Sequence, residues 1–334
     1  MKIRKALSIG VAVSLLVLPA EPALAYLKLG FDAGGRTVTV HWDTMPVRYF
    51  VTDRGVPGVT AADFQAAASR AFTTWQDVPT ASIAYQFAGF TASEPGEDDG
   101  RTTLGFLNAP ELDRVLASTS FLVDSVSGEI LEADIFFNSA FAWSVAPAGE
   151  RSRFDLQTIA LHEIGHLSGL GHSAIGETEI SGDGRRVLAT GAAMFPIALG
   201  TDDVSGRVLK PDDIAGISDL YPDDDFSKET GSISGRITRN GAGVFGAHIV
   251  AFDVAKGDLV ANFSLNTNGQ FAIAGLRPGP HLIRVEPIDD ADTDSFFDPV
   301  DPVELNFRPR YFERLVIVPR GSDSGAIDVK VVAK

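Results

Sequence analysis

Residues 162–172 read HEIGHLSGLGH and hold half of the six histidines in the chain. His162 and His166 lie four apart, so on a helix both imidazoles leave one face a turn apart and can converge on one metal ion, with Glu163 beside them. Gly169 stands where such a helix should stop. Glycine tolerates the left-handed conformation that turns a chain back, which lets His172 return as a third ligand from outside the helix. Three neutral imidazoles leave the fourth position of a tetrahedral zinc ion open, the pattern of a catalytic site and not of a closed structural one. Such an ion brings the pKa of water toward about 7 and polarises a carbonyl, and Glu163 is placed to take the proton and hand it to a leaving amine. The alternative, packing histidines, accounts for a lone imidazole on an apolar face but poorly for three at this spacing with an adjacent carboxylate.

Composition limits what else can contribute. The 334 residues are 45% hydrophobic and 22% charged, an ordinary globular composition with room for about two domains. Cysteine is absent, which removes disulfides, thiolate ligands and cysteine nucleophiles and leaves histidine and carboxylate to hold any metal. A formal net charge of -16 argues against nucleic acid or an anionic membrane surface as a partner, since neither offers counter-charge. Lys2, Arg4 and Lys5 precede an apolar run over 6–18 that is too short to span a bilayer comfortably, and Ala23, Leu24 and Ala25 form a small-residue cleavage signal. Residues 1–25 therefore read as a secretory signal peptide, with an uncleaved anchor as the alternative, and no second apolar stretch offers a membrane span. The expected location is secreted: extracellular, or periplasmic or cell-surface in a bacterium.

The histidines need a scaffold, and the periodicity supplies one. A short hairpin is expected around Ala33, Gly34 and Gly35. Strands are expected over 46–52, 83–90, 104–107, 117–123 and 129–138. A helix is expected over 60–75, capped by Thr60, with Phe64, Ala67, Ala68, Ala71, Phe72 and Trp75 on one face. Ser152 or Asp155 can cap the next helix, 156–168, which carries the first two histidines. A polar loop, 174–193, then leads to Ala193, Met194, Phe195 and Pro196. A third helix is expected over 210–221, with Pro211 in its first turn and Asp212 and Asp213 near its positive end. The fold class is α+β: a mixed sheet with three main helices over residues 26–222, an acidic linker at 223–230, and an all-β sandwich over 231–334. In the sandwich, short β runs alternate with turns such as Asn240-Gly241 and Asn268-Gly269, the sign of an antiparallel arrangement, and His248 and His281 read as surface or packing residues.

On these residues the chain resembles the metzincin zinc proteases, whose signature is HExxHxxGxxH. Ser173 directly after the third histidine, Ala193 to Pro196 as a Met-turn, and PDDIAGISDLY as the last helix resemble the matrixins; Trp75 and ADIFFN resemble bacterial members. The similarity covers residues 46–221. It implies that His162, His166 and His172 bind catalytic zinc, that Glu163 is general base and acid, and that Met194 supports the site from beneath without ligating. It also implies a protein or peptide substrate added as a strand along the sheet edge at 117–121, with an apolar S1' wall at 196–199.

Several features depart from that family. Without cysteine there is no thiolate latch, and with no histidine between Trp42 and Leu161 a second, structural zinc has no imidazole ligands. The 174–193 loop is long and near enough to the histidines to gate them. Asp124, Glu129, Glu132 and Asp134, and the acidic loop 91–101, offer oxygen ligands for structural calcium, or else are solvated strand ends and loop. For Asp212 and Asp213 the resemblance implies that they receive a new amino terminus after processing; the alternative is that they favour their helix dipole. The region from Gly231 resembles a carboxypeptidase-regulatory or transthyretin-like sandwich, through SISGRITRNGAGVFGAHIVAFD and TNGQFAIAGLRPGPHLIRVEP, for which a surface or polysaccharide contact or a spacer role is expected. The expected function is a secreted zinc metalloendopeptidase; its rival is a noncatalytic extracellular or surface-binding protein on a protease-like fold.

Overall fold

The computed structural model describes residues 28–32, 37–181, 184–289 and 291–334. Residues 1–27, which include the expected signal peptide, residues 33–36, on which the expected hairpin falls, Gly182, Asp183 and Asp290 lie outside the described residues. Before the main sheet, β1 (Gly30–Asp32) pairs antiparallel with β2 (Thr37–Thr39). There follow β3 (Val47–Thr52), α1 (Ala61–Gln76), β4 (Tyr85–Thr91), β5 (Thr102–Leu107), β6 (Ala117–Val123) and β7 (Ile130–Asn138). Their order in the sheet is β4-β3-β5-β7-β6, parallel throughout except for the antiparallel edge strand β6. A parallel pair, β8 (Trp143–Ser144) and β9 (Phe154–Asp155), leads into α2 (Leu156–Leu167).

Local chemistry sets the helix ends. Thr60 accepts from the Asp63 amide at 3.2 Å while the Asp63 carboxylate accepts from the Thr60 amide at 3.1 Å, a reciprocal cap. Of the two candidate caps for α2, Asp155 takes the position, accepting from the Thr158 amide at 2.9 Å, while Ser152 sits in a turn at φ 63°. Asp155 also pairs with Arg207 through two guanidinium nitrogens, tying the chain beyond the Met-turn to the start of α2.

The buried face of α1 is Phe64, Ala67, Ala68, Ala71, Phe72 and Trp75. Its alanines allow close approach to α2, and its aromatics fill the sheet side, Phe72 stacked on Tyr49 at 3.9 Å and Phe64 edge-on to Phe137 at 5.2 Å. Trp75 is wholly buried, and its indole donates to the Leu161 carbonyl at 2.8 Å, which pins α1 to α2 one residue before His162.

The stretch expected to be a polar loop after His172 is instead a hairpin, β10 (Gly176–Ser181) against β11 (Gly184–Thr190), with a register shift at Glu177 and Thr178. Backbone pairing alone defines such a ribbon, and its polar residues give no apolar alternation to announce it. Then comes α3 (Pro211–Leu220). The segment expected as a linker includes a helical turn, α4 (Phe226–Glu229), with Phe226 buried.

The second domain comprises β12 (Gly231–Arg239), β13 (Ala242–Gly243), β14 (His248–Asp253), β15 (Leu259–Phe263), β16 (Gln270–Leu276), β17 (Gly279–Glu286), β18 (Arg310–Tyr311), β19 (Val316–Val318) and β20 (Ile327–Val331). One sheet runs β13-β12-β16 with β20 also on β12; the other runs β15-β14-β17-β18 with β19 also on β17. Ile233, Phe271 and Val329 from the first sheet meet Ile249 and Ile283 from the second in one core. The expectation of a wholly antiparallel sandwich needs correction, because β20 runs parallel to β12. His248 and His281 are both buried, so they pack and do not lie on the surface. The two domains share packing: Ala215 of α3 belongs to the sandwich core. No helix among the described residues is long and apolar enough to cross a membrane.

Candidate metal centre and cleft

The two histidines of α2 stand on one face, their rings edge-on with centroids 4.7 Å apart. Helix α2 stops at Leu167 and the chain turns at Gly169, whose φ is 97°. A Cβ there would collide with the Val40 carbonyl oxygen, so this glycine is required by conformation and by contact. The turn is held by the Leu29 amide on the Gly169 carbonyl and the Trp42 indole on the Leu167 carbonyl, each at 2.8 Å. From it His172 comes back to the α2 face.

The three rings converge through Nε2: that of His166 lies 3.1 Å from those of both His162 and His172. Each Nδ1 meets a backbone carbonyl, Ala193 at 2.8 Å for His162, Leu170 at 2.8 Å for His166 and Ser295 at 2.6 Å for His172. A carbonyl only accepts, so each Nδ1 carries the proton and each Nε2 an unshared lone pair. Three lone pairs facing one point without a proton between them repel unless a cation lies there. Nitrogens held about 2.0–2.1 Å from one tetrahedral zinc would be roughly 3.3 Å apart, so the donor set and its spacing fit that ion. Burial keeps the rings in the neutral, ligating form: it is the main cause lowering His162 to about 3, with His172 adding repulsion, and it likewise lowers His166 and His172.

Among the described residues this is the one group of three or more histidine or carboxylate side chains close enough to share an ion. Three of the carboxylates considered for calcium, Asp124, Glu132 and Asp134, accept backbone amides. Asp134 accepts from the Gly96 amide at 2.5 Å and the Thr103 amide at 2.7 Å, and Glu132 accepts from the Gly100 amide at 2.5 Å. Both carboxylates are buried and tie down the 91–101 loop, so they are not solvated strand ends. Asp124 accepts from the Val126 and Ser127 amides of its own turn, each at 2.8 Å.

Glu163 is buried beside the histidines, and its Oε2 accepts from the Thr119 hydroxyl at 2.7 Å. Burial raises its pKa to about 7, the Thr119 bond pulling the other way. The segment after the hairpin closes the far side. Ala193 supplies the carbonyl that holds His162, and the Ala193 and Met194 amides donate to the Asp213 carboxylate at 2.8 and 3.1 Å. The Met194 side chain lies against α2 at Gly165, beside the Trp75 ring. Asp213 also accepts from the Lys210 amide at 2.8 Å, and Asp212 from the Ser173 hydroxyl at 2.6 Å and the Ala261 amide at 2.8 Å. Burial raises Asp212 to about 7 and Asp213 to about 6. Both are buried and already engaged: Asp213 caps α3 and braces the Met-turn, and Asp212 bridges to the second domain.

A cleft of about 820 Å³ opens over these groups. Its walls include Ala117, Thr119 and Phe121 of the β6 edge, Pro196 to Leu199, Thr190 at the end of the hairpin, and Asp292, Asp294 and Ser295 of the second domain. The structure thus brings the expected edge strand and the expected apolar wall to one cavity with His162, Glu163, His166 and His172. Sequence reasoning missed the contact of Thr119 with Glu163, which strand register would have exposed, since Thr119 shares a face with Ala117 and Phe121. It also missed Ser295, which carries no signal: the contact with His172 spans 123 residues and uses a backbone carbonyl.

The matrixin family model matches residues 41–222. Over 165 residues the chain is 30% identical to Metalloendoproteinase 5-MMP of Arabidopsis thaliana, covering 46% of this chain and 38% of that protein. Over 167 residues it is 32% identical to Metalloendoproteinase 2-MMP of the same plant, covering 46% and 35%. The match therefore spans well under half the length of either relative. Among solved structures, the Bacillus anthracis TIE protein overlays with a TM-score of 0.19 and 12% identity over 31% of this chain and 17% of that one, a likeness too slight to argue from.

Proposed function

The chain belongs to the matrixin family of metalloproteases, and from that premise we propose that it is a secreted zinc-dependent endopeptidase. The observation that carries the proposal is the convergence of three Nε2 lone pairs, each ring already donating through Nδ1, beside a buried carboxyl raised toward neutrality. His162, His166 and His172 are the zinc ligands in this reading. A bound zinc ion would polarise the scissile carbonyl and acidify water.

The protein's own groups do the rest. Thr119 holds Oε2 of Glu163 and leaves Oε1 to accept the proton of the attacking water, which the same carboxyl then delivers to the departing amine. Substrate lies antiparallel or parallel along the outer edge of β6, where backbone groups unpaired within the sheet can add a strand. Pro196, Ile197, Ala198 and Leu199 line the pocket for the residue after the cleaved bond, which is therefore apolar. Export is assigned on the basic, apolar and A-x-A segments of residues 1–25. The sandwich is read as carboxypeptidase-regulatory or transthyretin-like, with contact to a surface or polysaccharide as its outward role. A noncatalytic binding protein would have no use for a buried, proton-poised Glu163.

The deciding experiment is hydrolysis of casein or gelatin by the purified mature protein before and after chelation, with zinc restored, alongside Glu163→Gln. Turnover should depend on zinc and vanish in the variant while zinc stays bound. A zinc-loaded wild type without activity, or full activity in E163Q, would sink the assignment. A peptide library cleaved mainly before charged residues would overturn the apolar pocket alone.

A further inference from the structure

We propose that the C-terminal sandwich is a working part of the metal centre, positioning the third ligand, His172, from two anchor points; this rests on the reading of His162, His166 and His172 as the zinc ligands. The carbonyls that orient His162 and His166 belong to Ala193 and Leu170, inside the first domain. His172 differs: its Nδ1 donates to the Ser295 carbonyl at 2.6 Å, and the Phe296 ring stands edge-on to it at 6.3 Å. This matters most for His172 because it lies outside α2, where no helix sets its direction. A ligand's outer hydrogen bond selects the tautomer and aims the ring, and here that bond comes from another domain.

The second anchor acts on the next residue. Asp212, buried in α3, accepts the Ser173 hydroxyl with one oxygen and the Ala261 amide with the other. Strand β15 is a sheet edge, so the Ala261 amide is free to face out of its sheet toward α3. The same strand also secures the first anchor. Phe263, two residues on, packs edge-on against Phe297 at 5.2 Å, and Phe297 follows Ser295 by two. Docking of β15 thus places Ser295 and steadies Ser173 together, with His172 held between them.

Docking and zinc binding are then linked, and each must strengthen the other by the same factor. Two changes in the full-length protein address the anchors separately. Ala261→Pro removes the amide given to Asp212 at an edge position where proline is tolerated. Phe297→Ala loosens the segment that presents Ser295. Val329→Ala is the control, a core loss on β20, which lies across β12 from β16 and away from α3.

Zinc affinity of each protein is measured by competition with a chromophoric chelator, and ligand geometry by the absorption spectrum of the cobalt form. Both anchor variants should bind zinc about 10- to 100-fold more weakly with an altered cobalt spectrum, and the control within about twofold of wild type. Unchanged affinity in folded A261P and F297A, or an equal loss in V329A, overturns the proposal. Hydrogen exchange on the wild type decides independently of how the variants fold: zinc should slow exchange over 259–263 and 291–297, and no change there refutes the coupling. Failure of the wild type to bind zinc, or retention of zinc by His162→Ala, would count against the ligand assignment itself.

Discussion

Gly165 offers a test of how Met194 supports the histidines. A Cβ at this position would lie 2.9 Å from Cζ2 of Trp75 and 3.1 Å from Cε of Met194, with Sδ of Met194 closer than either. Non-bonded contacts of this kind settle at about 3.5–4.0 Å, so the Met194 sulfur must retreat by more than about 1 Å, while Trp75 is held by its bond to Leu161. Overpacking of this kind costs about 1–3 kcal/mol, offset by about 1 kcal/mol from the better helix propensity of alanine. Gly165→Ala should therefore lose about 0–2 kcal/mol. Met194→Ala alone should lose about 2–5 kcal/mol through the cavity it leaves. In the double variant the new methyl enters that cavity, so the two losses should fall short of additivity by about 0.5–3 kcal/mol. Urea unfolding of the four proteins, zinc-free and zinc-loaded, measures the coupling. Because the Ala193 carbonyl beside Met194 holds His162, zinc affinity should drop in G165A and recover in part in the pair. Additivity within about 0.5 kcal/mol would show that Met194 does not pack where this reasoning requires.

Three further outcomes are expected. Thr119→Val, which removes the hydroxyl that donates to the Glu163 carboxylate, should lower kcat about 10-fold, ~1.4 kcal/mol in barrier, with zinc affinity unchanged and Thr119→Ser near wild type in steady-state kinetics. Gly169→Ala should destabilise by more than about 1 kcal/mol in urea titration, since φ of 97° and the Val40 carbonyl both oppose a side chain; a stable variant with intact zinc binding would contradict this. Asp134 has its pKa raised from an ordinary 3.8 to about 6, first by burial, with Glu132 and Asp99 adding repulsion against the bonds from Thr103 and Gly96. The folded state therefore binds the proton more tightly than the unfolded one, and the contribution of Asp134 to stability declines as pH rises through the window from 3.8 to about 6. Melting temperatures measured across that window should show wild type losing ground to Asp134→Asn as pH increases, and a constant difference would refute the shift.

The elements easiest to read from residues alone were those whose signals are local. Helix α1 begins after Thr60 and buries the face expected of it, because a cap and a 3.6-residue period act within a few turns. The β10-β11 hairpin escaped notice because its polar strands lack an apolar alternation, and the parallel return of β20 to β12 because partner choice is a long-range matter. The buried carboxylates could not be sorted either. Asp134 and Glu132 read as calcium ligands or solvated strand ends, and Asp212 and Asp213 as receivers of an amino terminus or partners of their helix dipole, yet each finds backbone amides brought to it by other segments.

The same division runs through the metal centre. The spacing of His162 and His166, the carboxylate beside them and the glycine that turns His172 back are properties of a few consecutive residues, since helix rotation per residue and the freedom of Gly169 are local. Which way each imidazole is protonated and aimed was left to tertiary structure. Those choices are made by the carbonyls of Ala193, Leu170 and Ser295, and every residue has a carbonyl, so residue type cannot say which of them will arrive.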